Sequence, residues 1–499
     1  MGYSKFISYR NEVVPMDPRE LSRDTLITAC ASIPDQVADL VIALAARAAD
    51  LEAQVKELTR QLQQDSHNSS KPPSSDGPEK PAPKSRREKS GKASGGQPGH
   101  DGARLALRND PDHIVVHTPT HCEQCGESLA HVPATASARR QVYDLVARMA
   151  VTEHQAETIA CPACHHVTTE AFPDTVPFPV QYGPAVKTFL SYGATYQLVP
   201  SDRLCEWLFD LTGHQVSEGT LYNTQQMLYT QLEPFEKAVQ QAVIASPVVN
   251  FDETGLHVLV QLYWLHSAST AKFTYYTIHP KRGRLAMEAA GILAGFTGTA
   301  VHDGWGPYWS YTLCRHALCN VHHERELIAV EENTQQAWAR ALITHLHTIK
   351  KAVAAAVAAG QTALSPEVLA DYEATYDTII RQGLSENPRH VATEGAPARG
   401  RMKQTKTRNL LERLNIHRDA VLLFMRDFRV PYTNNQAEQD VRMAKVRQKI
   451  SGTFRSVQGA EIFCRIRSYI STLKKQGLPV FEYIQKAFQG DAFIPQAAP

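Results

Sequence analysis

Val248-Val249-Asn250-Phe251-Asp252 and Gly298-Thr299-Ala300-Val301-His302-Asp303 are the two stretches on which the fold turns. Each is a run of apolar and β-branched residues that closes on an aspartate, the composition of a buried strand with an acid at its end. Between them, Tyr263 to Ser267 and Phe273 to Ile278 are apolar, aromatic runs at hairpin spacing, and Arg284 to Leu293 has helical character. Three meandering strands, a helix and a parallel strand are the opening order of a ribonuclease-H-like mixed sheet. In that topology an acid on the first strand and one at the end of the fourth stand side by side on neighbouring strands.

Two carboxylates brought together at strand ends repel, and each raises the other's pKa unless a cation lies between them. Magnesium or manganese removes the conflict. Two such ions can activate the attacking oxygen and stabilise the leaving oxygen of an in-line displacement at a phosphodiester. Glu253 follows Asp252, and strand alternation sends the two to opposite faces, so one of them can join Asp303; Asp252 is the expected member. Taken alone, an acid in a strand fits a turn or a surface position equally well.

A third acid strengthens the reading. In Pro431-Tyr432-Thr433-Asn434-Asn435-Gln436-Ala437-Glu438 the proline and the asparagine pair provide a helix start, and Glu438 falls in an early turn. Steps of four, three and four from Glu438 reach Arg442, Lys445 and Lys449, so one helix face would carry the acid followed by three cations. A carboxylate that completes a metal site, beside bases that hold a phosphate track, suits an enzyme acting on double-stranded DNA. Asp440 points elsewhere by the same count. A salt-laced surface helix would account for the charges but not for the asparagine pair or the two matching strand acids.

A chain of 499 residues exceeds what one hydrophobic core supports, so several domains are expected. No apolar run approaches the roughly eighteen residues that a membrane span needs, and Met1 to Glu20 lacks the apolar centre of a signal peptide. A cytoplasmic protein without a membrane partner is the expectation, and its nine cysteines then read as thiols or metal ligands rather than disulfides. The net charge of +1 hides an asymmetry. Arg401 to Lys449 carries 12 Lys and Arg against 5 Asp and Glu, a surplus that fits either a local polyanion-binding surface or a solvated helical face.

Upstream of the sheet the chain divides by composition. Residues 1–64 read as a helical N-terminus with a coiled-coil segment at 35–64, because Val37, Val41, Leu44, Ala48, Leu51, Val55, Leu58 and Leu62 step by four and three. The β-branched and leucine split favours a parallel homodimer, although a helix packed on a core would show the same seam. Residues 65–103, rich in Ser, Pro, Gly and Lys/Arg, read as a basic flexible linker that either touches phosphates or is a plain tether. Residues 104–176 contain Cys122-x-x-Cys125 and Cys161-x-x-Cys164, separated by Val142, Tyr143, Leu145, Val146 and Met149, which fit short strands. Four thiolates in two knuckles supply the tetrahedral soft-ligand set of a structural zinc site in a zinc-ribbon-like domain; unligated thiols or a redox pair are the other readings. Residues 177–246 are helical, and Asp202 to Leu211, the Thr212-Gly213 break and a helix capped by Ser217 fit a helix-turn-helix DNA reader or any helical hairpin. Residues 247–332 read as the first part of the catalytic core and 431–488 as its C-terminal helices, with 333–430 between them and helical in composition from Thr334 to Tyr376. The fold class is thus multidomain α/β.

At these residues the chain resembles the insertion-sequence-66 transposases of the DDE superfamily. The resemblance runs nearly end to end: the zipper-like N-terminus, Asn68-Ser69-Ser70-Lys71-Pro72-Pro73-Ser74-Ser75-Asp76, Gly95-Gly96-Gln97-Pro98-Gly99-His100, the double Cys-x-x-Cys, Asp252-Glu253-Thr254, Asp303-Gly304 and Asn434-Asn435-x-x-Glu438. It implies that Asp252, Asp303 and Glu438 are the catalytic triad of a bacterial, nucleoid-associated enzyme that cuts element ends and joins them to target DNA with two metal ions. It also implies an α-helical insertion at 333–430, with which that helical composition agrees, and companion proteins from the same element. Where the family shows Cys-x-x-His followed by a small residue and two arginines, Cys319-Asn320-Val321-His322 continues as His323-Glu324-Arg325-Glu326, so one arginine matches. A lone Cys-x-x-His pair reads as packing rather than as a second zinc site. A ribonuclease-H-like nuclease that cleaves without joining, and a non-catalytic zinc-containing DNA-binding regulator, are the rival functions. On the coiled-coil reading, light scattering of the fragment 1–65 should return a dimer mass, and a monomer would remove that reading.

Overall fold

The computed structural model describes residues 6–9, 12–15, 34–62, 68, 106–145, 147–390 and 402–496. The basic linker, apart from Asn68, lies outside the described residues. The chain forms two compact units, one of residues 1–81, 244–252 and 291–439, the other of residues 82–243, 253–290 and 440–499.

The first unit opens with an antiparallel hairpin of β1 (Phe6–Tyr9) and β2 (Glu12–Pro15) where helix was expected. Helix α1 (Pro34–Leu62) follows and covers the heptad segment. Val41, Leu44, Leu51, Val55 and Leu58 are all exposed along it, so these seam residues pack into no core among the described residues.

The second unit begins with β3 (Thr158–Ala160) and β4 (Val167–Thr169), an antiparallel pair around the second cysteine knuckle. The strands expected near Val142 to Met149 do not form, and the described residues there are irregular and mostly exposed. Helices α2 (Pro184–Thr195), α3 (Ser201–Thr212), α4 (Glu218–Gln231) and α5 (Glu233–Ile244) come next. Gly213 stops α3 in the left-handed conformation at φ 70°, and the Ser217 hydroxyl caps α4 by accepting from the Thr220 amide at 3.1 Å. Leu190, Leu204, Leu208, Val216 and Leu221 pack this hairpin together.

The sheet follows: β5 (Val248–Val258), β6 (Gln261–Ser269), β7 (Thr274–His279), then α6 (Arg284–Ala290), β8 (Thr299–His302) and β9 (Arg315–Leu318). Its order is β7-β6-β5-β8-β9. β6 and β7 run antiparallel, from Trp264 opposite His279 to Ser269 opposite Thr274, whereas β5, β8 and β9 are mutually parallel. The first three expected strands, the helix and the fourth strand thus all form where the sequence placed them. α13 (Val457–Lys475) covers the β7 edge: Ser468 and Thr472 accept from the Tyr276 and Thr274 amides at 2.9 and 3.1 Å, so an edge that would otherwise offer free donors is satisfied by a helix. α14 (Val480–Phe488) closes this unit.

After β9 the first unit is helical: α7 (Asn320–Thr334), α8 (Ala337–Ala358), α9 (Pro366–Glu386), α10 (Lys406–Ile416) and α11 (Arg418–Arg426). These helices share one apolar cluster with the strands, in which Val301, Ala317 and Leu318 join Leu327, Trp338, Leu342, Leu346, Tyr376, Leu411 and Val421. The insertion therefore extends the sheet's own core. Its charges are also used internally: Arg408 pairs with Glu412, Arg413 with Glu326, Arg418 with Glu373 and Asp377, Arg426 with Glu373, and Arg429 with Asp427. Several of those acids lie outside the window Arg401 to Lys449, and the positive surplus counted there is correspondingly reduced as a surface for polyanions. α12 (Asn435–Ser451) carries the chain from the first unit into the second.

Gly383 reports on how tightly the insertion is packed. A Cβ at that position would lie 2.6 Å from Leu411 Cδ2 and 2.9 Å from Trp338 Cδ2, inside contact distance of two buried side chains. Gly383→Ala should destabilise this cluster by about 1–3 kcal/mol. A lowered melting temperature followed by tryptophan fluorescence is the expected result, and an unchanged one would contradict the packing.

Candidate active site

Strand pairing decides where the aspartates stand. Val248 pairs with Thr299, Val249 with Ala300 and Asn250 with Val301 across β5 and β8. The pairing ends at Asn250 and Val301; carried two residues further, its register would set Asp252 level with Asp303, which lies just past the end of β8. Both are part-exposed, while Phe251 and His302 beside them are buried. Glu253 takes the other face: its side chain is buried and accepts from Arg282 Nε and Nη2 at 3.0 and 2.8 Å, which commits it to structure.

Glu438 reaches the same end of these strands through Asn434. The Asn434 amide group donates to the Phe251 carbonyl at 2.7 Å and accepts from Asn250 Nδ2 at 2.9 Å. Its backbone N–H points at Cys319 Sγ, 3.1 Å away, and the neighbouring Tyr432 carbonyl accepts from the Asn320 amide at 3.1 Å. One buried side chain thus fixes the start of α12 to the residue preceding Asp252 and to the end of β9. Glu438 lies one helical turn on, its amide donating to the Asn434 carbonyl at 3.2 Å. Asp440 turns away and accepts from Ser269, Thr274 and Lys475, as its position on the helix predicts.

The loop bearing Asp303 is braced from below. Asp303 Oδ1 accepts from the Trp305 amide at 2.8 Å, and Gly304 has φ 88°, a conformation that favours glycine. The Gly304 amide donates to His302 Nδ1 at 3.0 Å, which leaves Nε2 of His302 as the donor to His316 Nδ1 at 3.0 Å; His316 Nε2 then donates to the Tyr311 carbonyl at 2.9 Å. Burial, with His316 and His417 nearby, pushes His302 down to about 3, and burial lowers His316 as well, so both rings are held toward the neutral form.

Cys319 and His322, read from the sequence as packing residues, stand beside Glu438. Cys319 Sγ and His322 Nδ1 each stand 3.8 Å from Glu438 Oε1, and the three donor atoms lie within 4.8 Å of one another. Among the described residues this is the group arranged to share one ion. Sequence spacing gave the Cys-x-x-His pair no partner because the third donor lies on a helix far along the chain. The position of the pair, directly after a strand and opening a helix, was the available signal, but β9 itself was not anticipated.

The two cysteine pairs are formed as matching knuckles. In each, the first cysteine's carbonyl accepts from the residue four positions on, and its amide donates to the carbonyl five positions on: Gly126 and Glu127 for Cys122, His165 and His166 for Cys161. Gly126 and His165 take positive φ to make those turns. Amides aimed at the sulfurs hold the Cys122 and Cys161 thiols below their ordinary range, which favours the thiolate that a metal binds. Each pair is thus shaped for an ion, but the group of donors that shares an ion distance in the described residues is not this one.

Of the three cations on α12, Arg442 and Lys449 are exposed, whereas Lys445 is half-buried and donates to the Gly255 carbonyl. Burial lowers the Lys445 pKa. Residues 179–462 match a family model described as Transposase IS66 family, and residues 22–106 match a family of unknown function (DUF6444). No curated protein matches the chain.

The Asn434 bridge has a measurable consequence. Asn434→Ala leaves the Asn250 amide and the Phe251 carbonyl without their side-chain partner in a buried setting, at a cost of about 1–3 kcal/mol. Hydrogen–deuterium exchange should rise in the first turn of α12, and protection there equal to wild type would show that Asn434 does not hold the helix.

Proposed function

The chain belongs to the transposase IS66 family, and from that premise we propose that it cuts and joins the ends of an insertion element by metal-dependent phosphoryl transfer, with Asp252, Asp303 and Glu438 holding the metal. Membership makes it a DNA-cutting enzyme that uses DNA as partner and substrate. The observation that supports the finer reading most is the β5–β8 register, which carried past its last pair would set Asp252 level with Asp303, together with the Asn434 bonds that tie the start of α12 to β5. Acids at matched positions on adjacent strands repel, and their co-location is favourable with divalent cations between them.

Two Mg²⁺ or Mn²⁺ ions fit this oxygen donor set, and when bound they supply charge stabilisation for the attacking and leaving oxygens. The protein's part is positional. Asn434 holds α12 against β5, the His302–His316 chain and the Trp305 amide fix the Asp303 loop, and Arg282 keeps Glu253 out of the site. The reaction is hydrolysis that frees 3′ hydroxyls at the element ends, followed by their in-line attack on target phosphodiesters. Arg442 and Lys449 on α12 contact the phosphate track, with Lys445 contributing chiefly through its bond to Gly255.

The remaining assignments follow from chemistry already described. The four knuckle cysteines bind a structural Zn²⁺ that draws the two halves of that segment together; its many exposed apolar residues, Ile114, Val116, Val142 and Leu145 among them, are those of a domain without enough core of its own. The exposed seam of α1 pairs with a second copy as a coiled coil, α3 and α4 read DNA, and companion proteins of the same element take part.

Asp252→Asn removes one metal-holding charge while keeping the side chain's shape. Purified protein with Mg²⁺ and DNA bearing the element's ends should yield joined strands, and the variant should bind the ends yet lose cleavage and joining by at least about 10³-fold. Full activity in Asp252→Asn would remove the assignment. Cleaved but unjoined products from the wild type would identify a nuclease, and salt-sensitive binding without any cleavage a regulator.

A further inference from the structure

Cys319, His322 and Glu438 form a constellation that magnesium chemistry does not use. Sulfur and imidazole nitrogen are poor ligands for Mg²⁺ and good ones for Zn²⁺. Their spacing is that of ligands around an ion. At 3.8 Å from Glu438 Oε1, His322 Nδ1 is too far for an N–H···O bond, and this buried atom makes no hydrogen bond at all. Two ligands bound to one tetrahedral zinc at about 2.1 and 2.3 Å stand roughly 3.6 Å apart, close to the separations of 3.8 Å seen here for both Sγ and Nδ1.

Burial and the Glu438 carboxylate push the Cys319 thiol up, so a cation that binds there has to displace its proton. Cys319 is the residue before the first turn of α7, and the Asn434 amide approaches its sulfur at 3.1 Å, an N–H···S contact that stabilises negative charge. The sulfur is buried, whereas the His322 and Glu438 side chains are 20% and 32% exposed, which leaves a solvent path for an ion to enter. Three protein ligands leave a fourth position open.

We propose that Cys319, His322 and Glu438 bind a single Zn²⁺-class cation, and that its binding withdraws Glu438 from the magnesium site and so suppresses DNA cleavage. The second half rests on the reading of Glu438 as the third magnesium-holding carboxylate; the first half does not. Because N/S donors hold zinc far more tightly than magnesium, a small zinc concentration would act against a large magnesium excess.

The test uses the full-length protein, freed of metal and titrated with Co²⁺ as a visible stand-in, then with Zn²⁺ counted by mass spectrometry. Wild type should bind one ion more per chain than Cys319→Ser, with a thiolate-to-cobalt absorption band that the variant lacks. His322→Ala, at a partly exposed position, should weaken the same ion by at least about tenfold, with circular dichroism confirming that both variants fold. Asp252→Asn should bind this ion as wild type does, because Asp252 is not among its ligands. In cleavage assays at fixed Mg²⁺, added Zn²⁺ should inhibit the wild type and lose potency in His322→Ala. Equal ion counts and identical spectra for wild type, Cys319→Ser and His322→Ala would overturn the site. An intact cobalt signature with cleavage indifferent to Zn²⁺ would overturn the switch alone. Undiminished cleavage by Asp252→Asn would instead sink the magnesium assignment and leave the ion count standing.

Discussion

The Asn434 side chain is the constraint from which the rest of the site takes its shape. It satisfies one strand carbonyl and one strand side chain with a single amide, in a buried setting where leaving either unpaired is costly. An amide carries a donor and an acceptor on one short planar group, whereas an ionised aspartate would repel the Phe251 carbonyl. Because Asn434 also precedes α12 and touches Cys319, the same residue sets the approach of Glu438 to β5 and to β9. Fixing one rotamer therefore orients acids that are remote in the chain.

Much of the core was legible. The alternation of β5, β6 and β7, the helix after them and the apolar run of β8 carried their own signals, whereas β5 runs on past Asp252 to Val258, so that this acid lies within its strand and not at the end. That Asp252 and Glu253 take opposite faces was also within reach, since alternation forces it, and Arg282 pairs with Glu253 on the face that it takes. Helix punctuation at Gly213 and Ser217 was equally local.

What sequence did not reveal depends on distant partners. β9 is four residues, Arg315 to Leu318, whose strand identity comes from pairing with β8 rather than from composition. Asn434 is the helix start that it looked like and a bridge as well, which stayed hidden because its partners Asn250 and Phe251 are known only once the fold is. Cys319 and His322 lacked a visible third ligand for the same reason. Charge counting misled mildly, since arginines within Arg401 to Lys449 are answered by Glu326, Glu373 and Asp377, which a linear window excludes.

The insertion's participation in the sheet's own apolar cluster bears on how the protein comes off the ribosome. β5, β8 and β9 emerge early, but the Leu, Trp and Tyr side chains that cover them arrive with α8 to α11, and the latch and last acid later still, on the order of ten seconds at bacterial elongation rates. Any polypeptide cut short before Asn434 leaves the Asn250 side chain and the Phe251 carbonyl of β5 without their partner, so that this strand is completed only by a residue made long after it.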